Sequence, residues 1–300
     1  MSFRNVSEWA QCFDAGRFHV TAFRKQVASA TTAANDFVDY TYFAGNPVAN
    51  FYASSPLEAA YVEANRGIFL RDVGKSQFVK DFCTMSAAAS ATSTTNQNQR
   101  LMLSDYLMYY PFIDTDAVGE QQDMLQTVSL PSRYPKGGQI MCVSQSAAST
   151  VGTFTLKYTN QDGVPGRTTQ ATFTKVVSGG GTLVTSSTNS VAGSLPFVGL
   201  QAGDTGVRSV ESCTFSAAGG GLMAIVIVKP LFHSLNTQEC RRTTTGNLES
   251  YGAATHLESF IHQQPPEIKQ GAVLGVVGLG NAGSLASSIL TGVLTTQWSA

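Results

Sequence analysis

From Gln139 to Leu231 the chain sets apolar against polar residues with a period of two and gives almost no helical signal. In 151–159, Phe154, Leu156 and Tyr158 share one parity, and Thr153, Thr155 and Lys157 the other, as in a half-buried strand. Positions 166–177 repeat the alternation, with Ala171, Phe173 and Lys175 opposite Thr168, Gln170, Thr172 and Thr174. Between the two runs, Asn160-Gln-Asp-Gly163 is a turn cluster that predicts a hairpin. The unbroken apolar run Leu222–Val228 predicts a strand covered on both faces, with glycine runs at 179–181 and 219–221 as punctuation.

Outside this stretch the pattern changes twice. Phe3, Val6, Trp9 and Phe13 recur at helical spacing, which predicts a short amphipathic helix over 2–15 stopped by Gly16. That helix either packs on its own domain or forms an arm that docks on a neighbouring subunit through Phe3, Trp9 and Phe13. Residues 17–135 are less regular. Phe37–Phe43 reads as a strand followed by a Gly45-Asn-Pro47 turn. Ser55-Pro-Leu-Glu58 reads as a capping box opening a helix that ends near Gly67. Two strands are expected at 77–85 and 100–113, the second apolar on both faces and therefore central. The Ala/Ser/Thr/Asn/Gln-rich stretch 86–99 between them reads as a loop or strand edge. Residues 233–268 are irregular, and 271–294 carry no charge at all. Six glycines make that last stretch a poor membrane helix, and Gly280-Asn-Ala-Gly283 predicts a turn within a buried hairpin.

The expected fold is therefore all-β, an antiparallel β-sandwich of jelly-roll type with a short N-terminal helical arm. Residues 1–16 form the arm and 17–300 the sandwich, with a division into an irregular part (17–135) and a regular one (136–300) left open.

Composition narrows the role. Charged residues are 13% of the 300, about half the usual share, while hydrophobic residues reach 43%, so polarity comes from Ser, Thr, Asn, Gln and Gly. A formal net charge of -1 defends such a surface poorly against self-association and suits one that neighbours cover. With no basic patch, nucleic acid is not the expected partner. Five dispersed cysteines (Cys12, Cys83, Cys142, Cys213, Cys240) contain no C-x-x-C and read as reduced thiols of a cytoplasmically folded chain. Met1–Trp9 lacks the apolar core of a secretory signal.

Candidate chemistry fails motif by motif. Gly278-Leu-Gly-Asn-Ala-Gly283 matches a dinucleotide fingerprint, but too little chain follows it for the remaining βαβ elements. Asp114-Thr-Asp116-Ala-Val118-Gly119 begins like a calcium loop, yet Val118 replaces an oxygen ligand and Leu125 stands where the bidentate Glu belongs. His233, Cys240, His256, Glu258 and His262 lack zinc spacing. Asp36/Asp39 and Glu58/Glu63 are not marked as a glycosidase dyad. The expectation is a non-enzyme with no catalytic residues, no cofactor and no metal.

Three segments carry a resemblance: Ser129-Leu-Pro-Ser-Arg-Tyr-Pro-Lys-Gly-Gly-Gln-Ile140, Phe154-Thr-Leu-Lys-Tyr-Thr-Asn-Gln-Asp-Gly-Val-Pro-Gly-Arg167 and Pro196-Phe-Val-Gly-Leu-Gln-Ala-Gly-Asp-Thr-Gly-Val-Arg-Ser-Val210. They resemble recurring segments of virion structural proteins of tailed bacteriophages. The likeness covers most of the chain and is strongest from about 100 to 232. It implies a late, many-copy particle component, capsid-associated and of minor-capsid, decoration or cement type. Such a protein would be assembled in the host cytoplasm and would contact the major capsid protein or neighbouring copies of itself as a homo-oligomer. It offers no catalytic residues. The alternatives are a tail component (tube, fibre or baseplate), a carbohydrate-binding β-sandwich module and a hydrolase with a diffuse site.

Overall fold

The computed structural model describes residues 3, 5–27, 37–88, 99–147, 152–172, 179–184, 196–236, 253–257, 265–280 and 288–300. About 51% of the chain is strand and 5% helix, in antiparallel, curled sheets, so the all-β, sandwich-like expectation holds. In chain order the elements are α1 (Val6–Ala10), β1 (Phe18–Gln26), β2 (Phe37–Asp39), β3 (Ala44–Asn46), β4 (Gln77–Ala88) and β5 (Gln99–Asp114). Then come β6 (Gln121–Asp123), β7 (Gln139–Ser144), β8 (Thr153–Asn160), β9 (Arg167–Thr172) and β10 (Val207–Phe215). The last are β11 (Leu222–Asn236), β12 (Ala253–Leu257), β13 (Glu267–Ile268), β14 (Leu274–Gly280) and β15 (Ser288–Gln297).

The central layer is the sheet β2-β14-β5-β11-β7. Its two edges do not stay open, because Gly181–Val184 runs between them. The Ser144 amide donates to Thr182 and the Val184 amide to Cys142, while the Asp39 amide donates to Gly181 and the Leu183 amide to Phe37. Those bonds close the sheet into a ring with no free edge along these residues. Alternation then sorts side chains inward and outward. Met141, Val143, Leu183, Ala224, Val226 and Val228 form the inner core, joined by Tyr52 and Val62 from the 47–66 segment.

The outward parity splits between two flanking sheets. Ile140, Cys142, Met223, Ile225 and Ile227 pack against the β6-β10-β8-β9 sheet through Leu156, Val210 and Phe215. Leu101, Leu103, Leu274 and Val276 pack against the six-stranded sheet β12-β4-β15-β1-β3, in which β13 also pairs with β4, through Phe23, Phe82, Leu290 and Leu294. Every sheet draws strands from both sides of residue 135, so the division at 135/136 matches no sheet boundary.

Several expectations meet the structure directly. The Asn160–Gly163 hairpin forms, with β8 and β9 paired from Thr153↔Thr172 to Tyr158↔Arg167. The Asn160 side chain accepts from the Asp162 and Val164 amides, which fixes the turn. β5 and β11 are both central, and Met223–Val228 are fully buried, whereas Leu222 at the head of the predicted run is exposed.

The 55–67 helix is corrected. Glu58 bridges Leu125 and Ala60 bridges Tyr109, and the Leu57 amide donates to Pro111, so cross-chain partners satisfy the amides a helix would have used. Only Ala64–Arg66 makes one 3₁₀ turn. The Phe37–Phe43 strand stops at Asp39, where the Asp39 side chain caps a 3₁₀ turn over Tyr40–Tyr42. Gly45–Pro47 is not a free turn either: Ala44–Asn46 pairs with β1.

The 271–294 hairpin is also corrected. β14 and β15 both exist but do not pair with each other. β14 lies between β2 and β5, whereas β15 lies between β1 and β4 in another layer.

Candidate functional site

The N-terminal segment folds onto its own chain. Helix α1 is shorter than expected, because Cys12 bonds back to Trp9 only three residues earlier and the chain turns out through Gly16, at φ 66°. The Phe3 ring is buried edge-on to Trp9 and against Phe78 of β4, with Cys12 completing the cluster. The Cys12 thiol donates to the Glu8 and Trp298 carbonyls. Of the three residues expected to contact a partner, Phe13 alone is exposed, stacked on Phe18 with the Lys80 ammonium 4.8 Å from its ring centre. Phe3 and Trp9 are occupied as anchors within the chain.

Inside the ring lies a polar knot. The Asp39 carboxylate accepts from the Tyr106 hydroxyl (2.7 Å), the Tyr52 hydroxyl, and the Thr41 amide (2.9 Å) and hydroxyl (2.7 Å). Burial pushes the Asp39 carboxyl up, and those donors oppose the rise. Tyr52 and Tyr106 sit well above the ordinary phenol range through burial and the neighbouring carboxylate. Gly275 of β14 makes the arrangement possible, since a Cβ there would fall on the Tyr106 ring and the Thr41 methyl. Close by, the Lys25 ammonium donates to the Thr41, Phe43 and Val48 carbonyls, and burial lowers it to about 8. The gap beside Lys25 is about 10 Å³, room for one water at most.

Arg133 grips Asp105 with two parallel bonds of 2.8 Å, and the Val273 amide donates to the same carboxylate. The Asp105 side chain is fully buried, which raises its carboxyl against the pull of the guanidinium. A cleft of about 470 Å³ opens beside this pair, lined by Tyr61, Leu130, Ser132, Arg133 and Gln270 among others. That volume falls within the range of small-ligand sites.

The three segments that carry the resemblance meet at one junction. Asp204 accepts from Arg167 Nε (2.9 Å), the Tyr158 hydroxyl (2.7 Å) and the Asn160 amide (2.8 Å). Those bonds, Arg167 first, hold the Asp204 carboxyl down to about 2. The Gln161 side chain accepts from the Thr205 and Gly206 amides, and Gly138 pairs with Val207. Gly137 and Gly138 have no room for a Cβ, because the Val207 and Val228 carbonyls lie against them. The three segments thus fasten β7, β8 and β10 to one another.

The remaining feature is a surface. The β12-β4-β15-β1-β3 sheet packs its inner parity on the ring; its outer parity is covered at one end, where the N-terminal segment lies over Phe18 and Phe78, and carries no further layer among the described residues from Val20 onward. Register places Val20, Thr295 and Asp81 in one row, Ala22, Val293 and Cys83 in the next, and Arg24, Thr291 and Met85 in a third. Gln26 and Ile289 extend it. Val20 is 50% and Met85 37% exposed, and Ala22, Arg24 and Gln26 are exposed too; Val293, Ile289 and Cys83 are half-buried. Arg24 and Asp81 are the charged residues of these rows. Sequence reasoning missed this face. Ile289 and Val293 looked like part of a wholly buried stretch, and β1 mixes polar and apolar residues on both parities.

The calcium-like run is a surface turn: Asp114 accepts from the Asp116 amide and Asp116 from the Gly220 amide. No group of three His, Cys, Asp or Glu is placed to hold a metal among the described residues. Cys240, Glu258 and His262 of the imagined cluster lie outside those residues, as does the side chain of His256. Cys12, Cys83, Cys142 and Cys213 are in no disulfide. No helix of the described residues is long and apolar enough to cross a membrane. Comparisons with family models, with curated proteins and with solved structures found no match.

Proposed function

We propose that this chain is a structural component of a bacteriophage particle, a capsid-associated protein of decoration or minor-capsid type that works by binding neighbours and carries no catalysis. The observation that carries the reading is the outer face of the six-stranded sheet, open beyond the end that the N-terminal segment covers. Its rows carry one positive and one negative side chain, Arg24 and Asp81, among neutral and apolar ones, on a chain whose net charge is -1. Repetition over a symmetric particle turns one modest contact of this kind into a large gain in stability. The resemblance of the 129–140, 154–167 and 196–210 segments to phage virion proteins supports the same reading, and their shared role as a fastening junction suits a rigid building block.

The test is antibody labelling of purified phage particles by electron microscopy, with the antibody raised against this chain. Decoration of heads supports the proposal, label on tails moves the protein to the tail, and particles free of the chain overturn it. One observation favours a second reading, a carbohydrate-binding module. The cleft beside Arg133 is rimmed by Tyr61, 47% exposed, together with Ser132 and Gln270, a mixture of ring face and neutral hydrogen-bonding groups. Binding on a glycan array that disappears in Tyr61→Ala would favour it.

A further inference from the structure

The outer face of the six-stranded sheet has a charge pattern that matches itself. Arg24 on β1 and Asp81 on β4 lie at opposite corners of a patch centred on Val293 of β15. Strand geometry puts them about 10 Å apart across the sheet and about 14 Å apart along it. The other diagonal, Val20–Val293–Met85, is wholly apolar and contains the exposed large apolar side chains of these rows, Val20 and Met85. The Arg24 side chain has no hydrogen-bond or ion-pair partner among the described residues. Asp81 accepts one bond from the Thr295 hydroxyl and pairs at 3.5 Å with Lys80. Lys80 is itself the extra residue of a bulge, and its ammonium leans over Phe13.

We infer that this face is a two-fold interface between copies of the chain, a deduction that rests on the reading of the face as a subunit contact and names its partner. An axis lying in the face close to the Val20–Val293–Met85 diagonal brings those three residues onto their own counterparts. The same rotation brings the Arg24 backbone position of each copy to within about 6 Å, in the plane of the face, of Asp81 of the other, a distance the long arginine side chain spans, so one operation pairs both charges twice. That is the defining property of an isologous contact. It crosses the strands of the two copies at roughly 70°, towards the orthogonal class of sheet packing, with the sheets about 10 Å apart. A partner of any other sequence would need its own matching charges; a second copy has them by construction. About a dozen residues a side is a small interface, so the dimer is expected at micromolar concentration in solution.

Sedimentation velocity across the micromolar range tests this on the full chain. Wild type is expected to dimerise, and Arg24→Asp or Asp81→Arg alone to weaken self-association by roughly tenfold or more through like charges set face to face. The double exchange Arg24→Asp with Asp81→Arg should restore it, a rescue that general destabilisation cannot mimic. Circular dichroism melts confirm that each variant folds. Cys83 lies one strand from the axis, so a short bismaleimide should link two copies, and Cys83→Ser should abolish the product. A monomeric wild type, single variants that associate like wild type, or a double exchange no better than the singles would overturn the inference. Particles labelled by the antibody with a monomeric free chain would sink this interface and leave the structural role standing. A rescued dimer absent from particles would do the reverse.

Discussion

Replacing Arg133 by Met isolates what the buried ion pair does. Asp105 has no solvent-exposed side-chain surface, and its carboxylate takes two bonds from Arg133 and one from the Val273 amide. Without the guanidinium a buried carboxylate keeps one donor, a loss of about 3–5 kcal/mol. For a domain of this size the unfolding entropy is about 0.6 kcal/mol per degree, so the melting temperature should drop by roughly 6 °C. The deficit should also depend on pH. Burial already places the folded Asp105 carboxyl above its ordinary value, and removing Arg133 raises it further. A folded carboxyl that is raised holds its proton where the unfolded one has lost it. The variant therefore regains stability as pH falls through that raised value towards the unfolded value near ~4. Urea melts of wild type and variant from neutral pH down to mildly acidic pH measure the difference. Asp105→Asn in the Arg133→Met background removes the orphan charge and should recover much of the loss. A variant within about 1 kcal/mol of wild type at neutral pH, with the same pH profile, would refute the argument.

Three further outcomes follow from other parts of the molecule. Lys25 titrates near 8 when folded and near ~10.5 when unfolded, so between those values the unfolded chain binds the extra proton and wild-type stability rises relative to Lys25→Met by about 3 kcal/mol. Chemical denaturation of both proteins at several alkaline pH values reads that difference; the buried thiols of Cys142 and Cys213 are common to both and cancel. Gly137→Ala should lower the melting temperature by several degrees, because a Cβ at φ 78° meets the Val207 carbonyl, whereas Gly74→Ala, at a similar φ of 69° but with nothing within 4 Å, should carry the backbone strain alone and cost less. Asp204, held down to about 2, stabilises fully above the unfolded value near ~4 and loses that contribution as pH falls towards 2; Arg167→Gln should flatten this acid limb in a pH-dependent fluorescence melt.

Where alternation had a clean partner the sequence was readable. Phe154, Leu156 and Tyr158 fill the core as their parity required, and the all-apolar Met223–Val228 run lies between two strands. Pairing across long separations was not readable. β14 and β15 looked like one hairpin because their order along the chain carries no information on which layer each joins. The capping box at Ser55 was a true local preference overridden by β-bridges at Glu58 and Ala60. Gly181–Val184, the segment that closes the ring, sat in a glycine run that looked like punctuation. The candidate surface escaped notice because periodicity gives the two faces of a strand and never says which one another layer covers. Arg24 and Asp81 become partners only through the register of β15 between β1 and β4.

That same register bears on how the chain is made. β1 and β4 are joined in their sheet by β15, which begins far later in the chain, at Ser288, and β14, beginning at Leu274, likewise joins β2 (ending at Asp39) to β5 (ending at Asp114). While the nascent chain is still leaving the ribosome, two of the three layers lack their middle members and expose long unsatisfied edges. Such an order of events favours slow folding after release and a need for chaperone shelter at high expression. Shortening the chain from its carboxyl end should consequently yield aggregates in place of a trimmed but native domain.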